Sequence, residues 1–304
     1  MRLNETVNGK TALFGLIGCP VEHTKSPYIH NTLFEELNIN AIYVPVYVKQ
    51  EDLQKAVEGM RAQNFSGFNV TVPYKKDIIK YLDDVSNDAL LMGAVNTVKN
   101  IDGRLKGYNT DAEGFSRDFK DYFETGFEGK RVLLLGAGGT ARALSLKIAA
   151  EGAEKLTIAN RTLENAKNIA ELVKNNYGNM IEGITPDAPD FSKSFEDSHI
   201  IINTTPAGMS TYEKKTPFDR NFTFQKQQLV YDVIYTPVKT PFLEQAEENG
   251  CKIRNGFGML INQGVSAFEI WTGKSIARSQ AAKILNLILG IEDLLKKVTN
   301  TNIG

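Results

Sequence analysis

Apolar and polar positions along this chain alternate between two periods. The runs "TALFGLIG" (Thr11–Gly18) and "AIYVPVYV" (Ala41–Val48) have the length and β-branched content of strands. In "FNVTVPYK" (Phe68–Lys75), Val70 and Val72 alternate with Asn69 and Thr71, which predicts a half-buried third strand ended by Pro73. Between these runs, "SPYIHNTLFEELN" from Ser26 and "EDLQKAVEGMRAQ" from Glu51 place apolar residues at helical spacing, with Ser26 as N-cap and Pro27 in the first turn. "KKDIIKYL" is helical in period again, so Lys75 stands where a strand hands over to a helix. A cation there meets the positive end of the helix dipole, so local structure gives no reason for it.

The pattern changes at "AVNTVKNIDGRLKGYNTD", which predicts a hairpin turning on Asp102-Gly103. After Asp111 a helical stretch leads into a second strand–helix series. It comprises "KRVLLLGAGGTARALSLKIAAEG", "KLTIAN", a strand from His199 in "HIIINTTPAGM", "LVYDVIYTP", the helix "TPFLEQAEENG" and the strand "CKIRNG". Two amphipathic helices close the pattern, "GMLINQGVSAFEIWTG" and "SQAAKILNLILGIEDLLKKV", and their apolar faces are expected to return to the first domain. The tail "KKVTNTNIG" reads as frayed and carries no motif. Strands alternating with helices predict an α/β fold built on parallel or mostly parallel sheets.

At 304 residues the chain has room for two cores, and 42% hydrophobic with 23% charged residues is a globular balance. A net charge of −1 gives no electrostatic reason to bind nucleic acid or an anionic membrane. The N-terminal "MRLNETVNGK" lacks the apolar centre of a secretory signal. Cys19 and Cys251 fit no metal or CxxC spacing and read as free thiols of a cytoplasmic protein.

Chemistry enters first at Gly136-x-Gly138-x-x-Ala141, the dinucleotide fingerprint with Ala in its third place. It lies between a strand and a helix, as that fingerprint requires. Gly136 serves the tight turn, Gly138 lets a pyrophosphate approach the backbone, and Ala141 packs helix on strand. Where NAD sites carry an acidic residue for the ribose 2′-OH, this chain reads "NRT". Arg161 offers a planar fork to a 2′-phosphate, which favours NADP and leaves NAD as a weaker alternative.

The ordered blocks "GCPVEHTKSPYIHN", "FNVTVPYK", "GAVNTV", "GYNTDAEGF", "GAGGTARA", "NRT", "NTTPAGM", "DVIYTPVKTP" and "GMLINQGVSAFEIWTG" span nearly the whole chain, which resembles the shikimate dehydrogenase family. The resemblance implies the NADP-linked reversible reduction of 3-dehydroshikimate to shikimate, within aromatic amino-acid (chorismate) biosynthesis. It implies a substrate-binding and catalytic domain over residues 1–111, completed by helices in 258–300, a Rossmann-like NADP domain over 112–257, and a cleft between them. Lys75 would be the catalytic acid/base and Asp111 its partner; Thr24 and Ser26 would take the substrate carboxylate, with Tyr235 nearby. Thr71, Asn96 and Gln263 would hold ring hydroxyls. Gly136, Ala137, Gly138, Gly139 and Thr140 would form the pyrophosphate turn, and Asn160, Arg161 and Thr162 the 2′-phosphate clamp. Thr204 would pass the cofactor ribose, and Gly256 would meet the nicotinamide amide. The family covers monomers and homodimers.

Two positions depart from the family pattern. A Ser-x-Ser motif reads Thr24-Lys25-Ser26, and a basic residue four places after the "NRT" arginine is replaced by Asn165. They leave two alternatives: a quinate/shikimate dehydrogenase with relaxed NAD or NADP use, and a dinucleotide-sensing module without turnover.

Overall fold

The computed structural model describes residues 7–178, 180–209, 212 and 214–301, with the side chains of 289 and 291–301 left aside. The first six residues of "MRLNETVNGK" and the last three of the tail therefore lie outside the described residues. The chain divides into two compact units, one of Met1–Thr110 with Ile261–Gly304 and one of Asp111–Leu260.

The first unit runs β1 (Ala12–Gly18), α1 (Ser26–Glu36), β2 (Ala41–Tyr47), α2 (Leu53–Ala62), β3 (Gly67–Val70), β4 (Asp84–Val85), α3 (Asn87–Met92), β5 (Thr97–Ile101) and β6 (Arg104–Tyr108). Its sheet has the order β2-β1-β3-β5-β6-β4. β1 pairs in parallel with β2 and β3, while β5 runs antiparallel to β3 and β6. The β5–β6 turn has φ of 50° at Asp102 and 85° at Gly103, the left-handed pair a two-residue hairpin needs.

Three sequence expectations change here. β3 stops at Val70 and is buried along its whole length, because it lies inside the sheet between β1 and β5; Val72 is 66% exposed beyond it. The segment Asp77–Tyr81 is a short 3₁₀ helix, so Lys75 sits in a turn rather than at an α-helix start. Ser26 is the first helical residue of α1, and Lys25 holds the cap position. The β4–α3 segment, "DVSNDALLM", is too short to show a period in sequence.

The second unit contains α4 (Asp111–Phe123), β7 (Arg131–Leu135), α5 (Gly139–Ala150), β8 (Lys155–Ala159), α6 (Leu163–Tyr177), β9 (Met180–Ile184), α7 (Asp190–Asp197), β10 (Ile200–Asn203), β11 (Leu229–Asp232), α8 (Pro241–Glu248) and β12 (Lys252–Asn255). All its strands are parallel, in the order β12-β11-β10-β7-β8-β9. Counted from β7 and read from β9, that is 3-2-1-4-5-6, the doubly wound dinucleotide-binding order whose direction reverses between β7 and β10. α4 is fastened to this sheet by a buried charge pair. Asp118, 3% exposed, receives Arg254 Nε at 3.0 Å, Arg254 Nη2 at 2.5 Å and the Tyr231 hydroxyl at 2.8 Å. Losing one member of such a pair costs about 3–5 kcal/mol, because the other charge stays buried.

The helix α9 (Phe257–Thr272) begins in the second unit and continues into the first, followed by α10 (Arg278–Thr301). Within the first unit, Trp271 Nε1 donates to the Val98 carbonyl at 2.9 Å and Lys99 Nζ to the Ile270 carbonyl at 2.7 Å. Gly67 leaves the space the indole needs, since a Cβ there would stand 2.4 Å from Trp271 Nε1. α10 keeps helical backbone through most of the tail expected to fray, because "KKVTNT" holds neither Gly nor Pro to stop it. Among the described residues no helix is long and apolar enough to cross a membrane.

Candidate active site

The polar residues of the first unit gather at one end of its sheet, where β1 and β3 finish and the antiparallel β5 begins. Thr71 directly follows β3, and its N–H donates to the Ile17 carbonyl at 3.0 Å. The Cys19 N–H donates to the Val72 carbonyl at 3.1 Å, so the loop after β1 is stitched to the segment after β3. Gly18 makes that crossing possible: a Cβ there would stand 2.3 Å from Thr71 Cγ2. The loop then delivers Thr24 and Ser26. The Ser26 N–H donates to Thr24 Oγ1 at 3.2 Å, and the Thr24 hydroxyl donates to Ser26 Oγ at 3.2 Å. Thr24 Oγ1 thus accepts the N–H of the first residue of α1.

Lys75 is placed by its neighbours. The Tyr74 ring is fully buried, and its hydroxyl donates to the Val48 carbonyl at 2.6 Å. The Lys75 carbonyl accepts the Val95 N–H at 2.7 Å, one residue before Asn96. Lys75 is half-buried and Asn96 buried. Gln263 lies on α9 beside Gly264, whose Cβ position is 3.1 Å from Ile29 Cγ2, so this part of α9 packs closely on α1. Thr24, Ser26, Thr71, Lys75, Asn96 and Gln263 thus share one unit, while Asp111, opening α4, and Tyr235 belong to the other. The Tyr235 ring meets Phe257 edge-on at 5.9 Å.

Under this end lies a set of buried polar side chains that periodicity did not single out: Tyr43, Asn69, Thr97 and Thr110. The sequence trace of Asn69 and Thr97 is the polar alternation in "FNVTV" and "VNTV", which reads equally well as a solvated strand face. His30 is buried with them and stacks on Tyr43 at 4.3 Å, with Trp271 at 4.9 Å. Both Asn69 amide hydrogens are engaged elsewhere, by the Asn96 carbonyl at 3.1 Å and Thr97 Oγ1 at 3.0 Å. Neither imidazole nitrogen has a partner among the described residues. Burial drives the His30 pKa down to about 3, with Asn69 beside the ring opposing it. His199 is elsewhere and structural: its Nδ1 accepts the Arg131 N–H at 3.0 Å.

In the second unit the glycine fingerprint lies at the topological switch. Gly136 has φ of 107°, and a Cβ there would stand 2.8 Å from Thr204 Oγ1, so only glycine makes this turn. Thr204 closes the other side: its N–H and its hydroxyl both donate to the Leu135 carbonyl at 2.8 Å. Around Gly138 a Cβ position finds nothing within 4 Å, leaving open space before the first turn of α5, which has no side-chain cap. A pyrophosphate fits there against unsatisfied N–H groups. Ala137 and Thr140 are half-buried and Gly139 exposed on the same turn, and Ala141 is fully buried against the strand. At the end of β8 the Asn160 amide donates to the Thr162 carbonyl at 2.9 Å, which shapes the turn, while Arg161 and Thr162 are exposed. No carboxylate stands in that turn, so the donor set suits a 2′-phosphate.

The adjoining loops are fastened from beneath by Asp232. Its carboxylate accepts from Asn203 Nδ2 at 3.0 Å, the Ile234 N–H at 3.0 Å and the Thr240 hydroxyl at 2.7 Å. Burial raises its pKa to about 7 against those three donors. Gly256 follows β12 so closely against Val233 that an added Cβ would stand 2.0 Å from the Val233 carbonyl oxygen.

With this geometry in hand, comparison with known proteins gives a consistent result. Residues 16–98 match the shikimate dehydrogenase substrate binding domain, 119–232 the shikimate/quinate 5-dehydrogenase domain and 256–283 the shikimate 5′-dehydrogenase C-terminal domain. The shikimate dehydrogenase (NADP(+)) of Alkaliphilus oremlandii is 42% identical over 89% of this chain and 94% of its own length. Shikimate 5-dehydrogenase of Listeria monocytogenes, solved with shikimate and NAD, superposes with a TM-score of 0.86 at 37% identity, covering 92% of this chain and 98% of that one. The Thermus thermophilus enzyme, solved with NADP(H) and shikimate, gives 0.79 at 31% identity, covering 91% and 99%.

Proposed function

The chain belongs to the shikimate dehydrogenase family, and we propose that it catalyses the reversible NADP-linked reduction of 3-dehydroshikimate to shikimate. NADP supplies or accepts the hydride when bound. The pyrophosphate turn at Gly136–Thr140 would hold it, with Arg161 on the 2′-phosphate and the Thr204 loop and Gly256 alongside. The chain's own work is to move a proton and to hold the substrate.

Reduction of a ketone turns its oxygen into an alkoxide, which must gain a proton; oxidation of the alcohol must remove one. Lys75 does this as the ammonium in one direction and the free amine in the other. Asp111 pairs with the ammonium and keeps it aimed. Thr24 and Ser26 bind the carboxylate through neutral hydroxyls, with Tyr235 assisting, and Thr71, Asn96 and Gln263 take the ring hydroxyls. The observation that carries this reading is the fixed Lys75 main chain, tied through Val95 to the start of β5 beside Asn96. The lysine main chain is thereby held at the polar end of the sheet.

The quinate and dinucleotide-sensor alternatives are not favoured, because the curated relatives are NADP-dependent shikimate dehydrogenases. The deciding experiment is steady-state oxidation of shikimate and of quinate, each with NADP and with NAD. A hundredfold or greater preference in kcat/KM for shikimate with NADP, about 2.7 kcal/mol, is expected. Turnover of quinate, or with NAD, within about tenfold of this would overturn the assignment.

A further inference from the structure

Among the described residues of the second unit, the buried carboxylate of Asp232 has no counter-charge. Asp232 ends β11 and stands directly across the ladder from Asn203, which ends β10. Its Oδ1 accepts the Ile234 N–H at 3.0 Å and Asn203 Nδ2 at 3.0 Å. Neither donor can reverse. One is backbone, and the Asn203 amide is turned by the Thr205 N–H, which donates to Asn203 Oδ1 at 2.9 Å. Asp232 Oδ2 meets the Thr240 hydroxyl at 2.7 Å. All three partners are neutral. An asparagine could make the same three contacts, taking two N–H groups on its oxygen and giving one to Thr240 Oγ1, without the cost of burying a charge. The N-terminus of α8 beyond Thr240 supplies only the partial charge of a helix end, and burial still holds the carboxyl pKa up at about 7. The hydrogen bonds therefore account for the position of this side chain and not for its charge.

The surroundings of Asp232 show what that charge can act on. Thr204, next after Asn203, closes the Gly136 turn through the Leu135 carbonyl. Val233 and Ile234, next after Asp232, are packed on Gly256: the Gly256 N–H donates to the Ile234 carbonyl at 3.0 Å, and an added Cβ would strike the Val233 carbonyl. The carboxylate thus adjoins the segment that packs on the residue read as meeting the nicotinamide amide. Hydride leaving the reduced ring takes both electrons of a C–H bond to the substrate carbon, whose oxygen gains its proton from Lys75. The ring is left one unit more positive. We propose that the Asp232 carboxylate favours the oxidised, cationic nicotinamide over the reduced, neutral one, and so biases the bound cofactor toward giving up hydride. The inference rests on the reading of this unit as the NADP site with its nicotinamide at Gly256.

The test is the ratio of the dissociation constants of NADP+ and NADPH, measured by calorimetric titration at about pH 9, well above the carboxyl pKa of about 7. Asp232→Asn removes the charge and is expected to weaken NADP+ relative to NADPH by about fivefold or more, the scale of one unit charge acting on another through an effective dielectric of about 20. Thr240→Val removes a hydrogen bond and keeps the charge, so it should leave the ratio unchanged whatever it does to the separate affinities. The fragment 2′-phospho-ADP-ribose, which lacks the nicotinamide, should bind Asp232→Asn at least as well as the unaltered protein. An unchanged ratio in Asp232→Asn, a change of equal size in Thr240→Val, or a fragment weakened as much as NADP+ would each overturn the proposal. If Asp232→Asn does not fold, Asp232→Ser carries the same comparison. Failure of the unaltered protein to bind either form of the cofactor would instead remove the underlying reading of the NADP site.

Discussion

The Lys75 carbonyl accepts a 2.7 Å hydrogen bond from the Val95 N–H, which joins the turn after β3 to the residue before Asn96. Two residues 20 positions apart thereby acquire a fixed spacing that neither local segment provides. With Tyr74 locked beneath by its bond to the Val48 carbonyl, the lysine main chain has little freedom.

Replacing Lys75 with Ala should lower turnover by about 10²–10⁴-fold, the range for losing a general acid/base, and leave NADP binding intact. Stopped-flow measurement of hydride transfer, with cofactor titration by fluorescence, separates the two. Turnover close to wild type would assign the proton to another group.

Arg161→Ala should raise the NADP KM by about ten- to a hundredfold, as for a charged hydrogen-bond partner, while the NAD KM changes little. Equal effects on both cofactors would mean that Arg161 does not meet the 2′-phosphate.

His30 predicts a specific acid sensitivity. Its pKa falls from 6.5 in an unfolded chain to about 3 when buried. Between those values the unfolded state binds a proton that the folded state refuses, so stability is full above pH 6.5 and declines as pH falls toward 3. The slope approaches about 1.4 kcal/mol per pH unit. His30→Phe keeps the stacking on Tyr43 and Trp271 and loses no hydrogen bond, so urea unfolding between pH 4 and 6.5 should show a flatter profile. An identical profile in the variant would place the titration on another group.

Gly256→Ala should destabilise the protein by more than about 2 kcal/mol, since the atom in the way is the Val233 carbonyl oxygen and backbone yields poorly. Thermal unfolding reads this directly, and an unchanged Tm would show that the β12 end relaxes freely.

Much of this molecule was legible along the chain. The periods of two and of 3.6 marked β1, α1, β2, α2 and the strand–glycine–helix unit at Gly136, because each is a local consequence of which face meets a core. The hairpin at Asp102-Gly103 was legible because few residues accept two consecutive positive φ values. The fingerprint glycines and the "NRT" turn likewise announced their chemistry, since phosphate binding at a helix N-terminus uses adjacent residues. The depth of β3 was not legible: burial depends on neighbouring strands, and β1 and β5 come from distant segments. The strand order β12-β11-β10-β7-β8-β9 is set by which apolar faces pack together, and no single stretch records it.

The same division holds for the candidate site. By itself the sequence determined which residue types are present and their order along the chain: hydroxyls at the start of α1, a lysine after β3, an asparagine before β5, glycines at the start of α5. Tertiary structure alone decided that Thr71, Lys75 and Asn96 lie at one end of a sheet, and that Tyr43, Asn69, Thr97 and Thr110 form a buried hydrogen-bonded cluster beneath them. Hydrogen-bond direction depends on which backbone groups face each side chain across the ladder. Those groups are brought opposite one another only when β3, β5 and the segment after β6 have paired in register.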